Sequence, residues 1–360
     1  MKTHSTNCRK PLLGLSLLAL ACTGHAQSSV TLYGVADAGV RHSSGLTAAY
    51  AGSADASSAV NSGINTTSRF GFRGSEDLGG GLKAIFNLES GVNLDTGASA
   101  SATKLFDRAA IVGLQGSWGT VTAGRQTTVL ADVVSAVDPL GSRFASFNPN
   151  VGIAALSAHR LAAEFGPAGS TTGAYRLDNS VKYVGRFSDF SVRAMHAFGE
   201  QAGNSSNLSS SGVGAGYQAG GYTAALSYAQ FKNAAGLSLK GYLGGASAML
   251  VGNKIALTYG NHEAETSATA KTRNRTLGLG GTVPLGASVD LILAHYQVRR
   301  ARTAAVDDGF NRTVAFLEYK FSKRTRAYAE LDQTHWKNGY QGTGFKSSAS
   351  GVSAGVVHSF

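Results

Sequence analysis

The residues able to carry out chemistry are few. Gly351-Val352-Ser353-Ala354-Gly355 matches the G-x-S-x-G pattern of a nucleophilic serine in form. That pattern works on a sharp strand-to-helix turn, and only five residues follow it here, so no catalytic residue is expected. Gly212, Gly214 and Gly216 are spaced two apart and open no helix, unlike a dinucleotide fingerprint. The nine histidines show no H-E-x-x-H or cysteine partner, so neither metal nor cofactor is expected. What remains is charge interleaved with aromatic rings. In residues 68–95, SRFGFRGSEDLGGGLKAIFNLESGVNLD, Arg69 and Arg73 alternate with Phe70 and Phe72. Lys83, Asn87 and Glu89 alternate with Leu82, Ala84, Phe86 and Leu88. Such groups act on a passing solute through their field, without making a bond.

To position them the chain needs elements with two unlike faces. Period-two alternation supplies these, because successive strand side chains point to opposite sides of a sheet. Residues 75–81 read as the turn between the two arms. A soluble sheet would bury its apolar face, whereas a membrane barrel turns that face to lipid and the charged one to a water-filled lumen. An arginine at the bilayer midplane costs ~2–4 kcal/mol. Outward Phe70 and Phe72 therefore put Arg69 in the lumen. Arg73 has the same parity but lies nearer the turn, which makes it, with Lys83 and Glu89, a vestibule or lumen group.

The same alternation recurs along the chain. Residues 29–41 read as a strand, 43–67 as a long exposed polar loop, 106–114 and 120–126 as a second hairpin. After residue 172, hairpins with short turns resume and run to Phe360. Residues 130–172 are the longest stretch without clean alternation and contain Pro139, Pro149 and Pro167; a loop of that length inside a compact domain is functional or disordered. In residues 176–183, Leu177, Val181 and Tyr183 alternate with Arg176, Asp178, Ser180 and Lys182, which predicts an inward Arg176. Both faces of 105–114 are apolar, so alternation does not orient Arg108. Tyr183, Tyr259, Tyr319, Phe321 and Phe360 fall at strand ends, as interface girdles do.

The N-terminus reads as an export signal. Lys2, Arg9 and Lys10 precede an apolar run, 12–21, too short to span a bilayer as a helix, and Gly24-His25-Ala26 is a small-residue cleavage site. Residues 1–26 are thus expected to be removed and 27–360 to form one domain. Cys22 loosely fits a lipidation site, but leucine is not at the preferred place before it. Both cysteines, Cys8 and Cys22, fall in the signal, so the mature chain has no disulfide. Without the three basic residues the formal charge falls from +11 to +8. An exported chain meets no genome, so no nucleic acid is expected and the charge is assigned to small solutes. Short turns alternate with long polar stretches, as in a closed transmembrane barrel. At roughly ten residues per strand plus connections, the length suits about 16 strands.

Several segments resemble the Gram-negative general porins, β-proteobacterial type: SSVTLYGVADAGV, residues 68–91, LFDRAAIVGL with GTVTAGRQ, YKFSKRT, and the terminal His358-Ser359-Phe360. The resemblance covers the mature chain and implies an all-β fold. It would be a homotrimer of 16-stranded barrels in the outer membrane, among lipid and lipopolysaccharide, with the third extracellular loop (about 130–172) folded into each lumen. It implies passive diffusion of small hydrophilic solutes and ions. Wall arginines at the constriction map to Arg69, Arg108 and Arg176. The family's Pro-Glu-Phe-Gly segment is replaced by Asp138-Pro139-Leu140-Gly141, leaving Asp132 and Asp138 as loop acids and Arg143 as an added cation. With three wall arginines, a preference for anions is expected. The alternatives are a closed-lumen barrel acting as adhesin or surface enzyme, and a substrate-specific channel.

Overall fold

A computed structural model describes residues 29–47, 51–153 and 175–360. The expected signal (1–26), Cys8, Cys22 and the latter part of the expected constriction loop lie outside the described residues. The described chain forms seventeen strands and one short helix. β1 (Ser29–Leu46) is long enough to pair with two segments on one side. Its first half runs against β3 (Arg69–Gly79) and its second half against β2 (Gly52–Ser62). β2 and β3 therefore make one stave interrupted at 63–68. From β3, each strand pairs antiparallel with the next: β4 (Leu82–Gly91), β5 (Ala109–Gly116), β6 (Gly119–Thr127), β7 (Arg176–Phe187), β8 (Phe190–Ala197) and β9 (Ser210–Ala219). The series continues through β10 (Tyr222–Lys232), β11 (Ser238–Leu250), β12 (Asn253–Glu265), β13 (Lys271–Pro284), β14 (Val289–Arg302), β15 (Asp308–Lys320), β16 (Thr325–Lys337) and β17 (Ser348–Ser359). β17 returns to β1, and Gly34 and Phe360 exchange two backbone hydrogen bonds of 3.1 Å. Sixteen staves thus close a ring with no open edge, the condition for crossing a bilayer with strands.

The two faces divide as the alternation demands, with the apolar one outward. Leu277, Leu279, Leu293, Leu317, Leu331 and Val356 are each more than two-fifths exposed, while their strand neighbours Gly278, Ala294, Phe316, Glu330 and Val357 are buried. A water-soluble sheet would invert this arrangement. Trp118 stacks on Tyr183, and Tyr319 packs edge-on against Phe321, at the short-turn end.

Four sequence-based expectations change. The hairpin turn is only residues 80–81: β3 runs on to Gly79 through a bulge at 77–79. Residues 43–67 are not one exposed loop, because β1 continues to Leu46, β2 follows, and Ile64 and Asn65 are buried. The physical reason is Asp37: its Oδ2 accepts from the N–H groups of Asn65 (2.7 Å) and Thr66 (2.6 Å), and Tyr328 Oη donates to Oδ1 (2.9 Å). A Cβ on Gly39 would come within 2.6 Å of that tyrosine hydroxyl, so the position has to be bare. The stretch from residue 130 is not wholly irregular. It contains α1 (Val129–Val137), N-capped by Thr128, whose side chain accepts from Ala131 N–H (3.3 Å), and followed by Pro139 just beyond its C-cap. Finally, Leu177 is buried in the cluster under α1 instead of facing lipid.

α1 packs Val129, Val133, Val134 and Val137 against inner-face residues such as Ala225, Ala229, Leu239 and Leu243. Farther on, Leu140, Phe144 and Phe147 cover Ile292, Tyr296, Val314 and Phe316. The Phe144 and Phe316 rings are 4.0 Å apart between centroids. The inner faces of β8–β16 thus carry much of the apolar core, and the cluster that includes Arg69, Arg125 and Arg176 lies on the β3–β7 wall.

Candidate pore constriction

Arg69 begins β3 immediately after the 63–68 excursion that Asp37 pins, and its side chain also donates to Thr67 O (2.9 Å). Glu89, two residues before the end of β4, lies across from it. Arg69 Nε stands 3.4 Å from Glu89 Oε2, Arg108 Nε 2.7 Å from Oε1, and Tyr33 Oη donates to Oε2 at 2.9 Å. Arg176 Nε donates to the carbonyl of Arg108 (3.0 Å), and its guanidinium lies 5.1 Å from the Tyr175 ring centroid. The three wall arginines assigned by resemblance are therefore neighbours around Arg108. Glu89, expected as a vestibule group, sits among them as the carboxylate shared by two.

The parity argument for Arg176 does not hold, although the residue reaches the cluster. The β6–β7 register shifts between Gly124 and Gln126, and Asn179 has φ +52°, so the phase of the alternation changes within β7. Arg108 precedes β5 instead of lying on it, since residues 106–108 stay outside the ladder. There the Asp107 side chain takes the N–H of Gly91 (2.7 Å), and Arg108 N–H still bonds Glu89 O (3.1 Å).

Sequence reasoning missed further members. Arg125 donates to Asp107 O (2.5 Å) and pairs with Asp178 at 2.7 Å, and Lys104 reaches the other Asp178 oxygen at 2.6 Å. Arg125 is adjacent to the bulge, so alternation offered no signal for it. Lys104 comes from a connection whose course the sequence does not fix. In all, Arg69, Lys104, Arg108, Arg125 and Arg176 are gathered with Glu89, Asp107 and Asp178, five cations to three carboxylates. Arg73 lies farther toward the turn with its guanidinium 4.9 Å from the Tyr33 ring centroid, and Lys83 is exposed opposite Asp77.

The three loop candidates go to three other places. Asp132 meets Lys182 (3.2 Å) and Arg193 (3.5 Å) on β7 and β8. Asp138 is fully buried; it accepts from Tyr296 Oη (2.5 Å), Asn148 (2.8 Å), Asn150 (2.9 Å) and Leu140 N–H (3.0 Å). Burial pushes its carboxyl up and these donors pull it back. It therefore anchors the segment and presents no oxygen to a solute. Arg143 pairs with Glu318 and donates to Asn65 (2.7 Å), which itself donates to Glu318 (2.5 Å). Ser353 lies mid-strand in β17 and donates to Glu330 (2.7 Å). Among the described residues no group of three or more His, Cys, Asp or Glu is placed to hold a metal.

Forked guanidinium donors clustered on one wall suit fleeting contacts with small anions. A closed barrel, apolar outside and charged inside, defines the class of outer-membrane channels. A family model described as Gram-negative porin matches residues 14–339, and the chain belongs to that family. It is an outer-membrane protein of the Gram-negative type. It is 28% identical to outer membrane porin protein 32 of Delftia acidovorans over 98% of this chain and 100% of the relative. It is 39% identical to an outer membrane porin protein of Bordetella pertussis, in a match spanning 42% of each chain. Among solved structures it resembles one described as an anion-selective porin from Comamonas acidovorans, with TM-score 0.74 and 25% identity over 93% of this chain and 100% of that one. OmpT of Vibrio cholerae in a trimer form shares the fold, with TM-score 0.66 and 18% identity over 92% and 99% of the two chains.

Proposed function

We propose that the barrel is a water-filled channel for passive diffusion of small hydrophilic solutes and ions, that it prefers anions, and that it performs no catalytic step. The observation that carries this reading is the five-to-three excess of cations around Arg108 on the β3–β7 wall. The likeness to a porin described as anion-selective supports it. The segment that begins at Thr128 serves as the loop narrowing the channel, held against the β8–β16 side so that the open cross-section follows the arginines. The mature domain is 27–360 after loss of residues 1–26, and three copies assemble in the membrane among lipid and lipopolysaccharide. Recordings across a planar bilayer under a salt gradient test the channel, its selectivity and the threefold assembly together. The expected result is conductance in groups of three steps with a reversal potential of anion sign. A cation-sign potential overturns the selectivity, and a non-conducting barrel overturns the channel.

A further inference from the structure

The outer surface carries one feature that a diffusion channel does not need. Arg275 on β13 and Arg299 on β14 are direct cross-strand partners. Both are exposed, on the same outward face as Leu277, Leu279 and Leu293. Like charges directly opposite one another destabilise a sheet, and among the described residues neither arginine has an acidic partner. The contrast with their surroundings is sharp. One row closer to the strand ends, Arg273 and Lys271 share Glu263 at 2.6 and 3.0 Å. On the inward face of β14, Arg300 is held by Asp308 at 2.7 Å.

The height of the pair says what could neutralise it. Arg275 is eight residues from Val283, where β13 nears its short turn, or about 27 Å along the strand at about 3.4 Å per residue. With a tilt of about 40° that is roughly 21 Å of height, close to the top of an apolar band of about 25 Å. Tyr242 and Tyr259, their rings 6.2 Å apart, mark the same level, and Asn261 in the same row donates to Tyr242 Oη at 3.4 Å. This end carries the long connections, such as 92–108 and 128–175, and is therefore the outer leaflet side.

We propose that Arg275 and Arg299, with Tyr242 and Tyr259 beside them, bind the phosphate of an outer-leaflet glycolipid, its acyl chains lying along Leu277, Leu279 and Leu293. Guanidinium forks match phosphate oxygens two at a time, and a doubly charged phosphate turns the like-charge clash into a bridge. The proposal rests on the outer-membrane placement of the barrel, but it has a separate readout: channel currents report the pore, lipid titration reports this surface.

The intact channel in detergent is titrated with bisphosphorylated lipid A, with its dephosphorylated counterpart and with inorganic phosphate. Phosphorylated lipid A should bind at least about tenfold more tightly than the dephosphorylated form, and the double variant R275Q/R299Q should lose that margin. R275K/R299K, which keeps the charge but loses the forks, should retain only part of it, and each single glutamine variant should lose part. Heat-modifiable gel mobility and unchanged conductance establish that the variants fold. Unchanged affinity in R275Q/R299Q overturns the proposal. So does competition by inorganic phosphate at equal concentration, which would make the pair a free-phosphate site.

Discussion

Glu89 is the residue on which the electrostatics of the arginine cluster turns, because it alone pairs with both Arg69 and Arg108. A unit charge 4 Å from a permeating ion in water is worth about 1 kcal/mol, a several-fold change in permeability ratio. E89Q removes a negative charge and should raise anion preference by that order, read as a shift of the reversal potential. R69S and R176S should move it the opposite way, and no shift in either would place them off the permeation path. Arg69 and Glu89 keep part of their surface exposed, so salt screens part of their effect. Anion preference should be larger at 0.1 M salt, where the screening length is about 10 Å, than at 1 M, where it is about 3 Å. Arg69 was legible in the sequence because its two phenylalanine neighbours fix which way it points. Arg125 and Lys104 were not, because a bulge and an irregular connection carry no period.

At the scale of elements, the segment 128–153 is held by buried polar anchors and by aromatic packing. Asp138 gathers donors from its own segment and from β14, and Asn65 with Arg143 ties the 63–68 excursion to Glu318 on β15. D138A leaves those donors without an acceptor, at about 1–3 kcal/mol for each that stays buried and unpaired. The expected outcome is a lower unfolding temperature together with noisier open-channel current, and D138N, which keeps one acceptor oxygen, should show a smaller change. Phe147 sits edge-on to Phe316 with centroids 5.5 Å apart. F147A should cost about 3–5 kcal/mol in chemical unfolding. Asp138 was visible as an acid in the sequence, but its role as an anchor was not, since Tyr296 is 158 residues away.

For the whole molecule, the decisive property is which solvent meets the outer face. Leu279 is 52% exposed, and in a soluble protein an exposed leucine tolerates a charge within about 0.5 kcal/mol. Against lipid, L279R should cost ~2–4 kcal/mol, measured by urea unfolding from vesicles, and a neutral result would mean that the face is wet. The alternation behind this prediction is local: strand geometry repeats every two residues whatever the partner, so most strands and the barrel class followed from the sequence alone. What tertiary structure decided is everything that depends on phase or on distant contact. Bulges at 77–79 and 124–126 reset the phase that alternation assumes. The split stave of β2 and β3, the turn pinned by Asp37 and the separation of Asp132, Asp138 and Arg143 onto three different walls exist only once the ring has closed. Closure brings Asn65 and Glu318, 253 residues apart, within a hydrogen bond, and no period in a sequence encodes a contact whose partners meet only when β17 reaches β1.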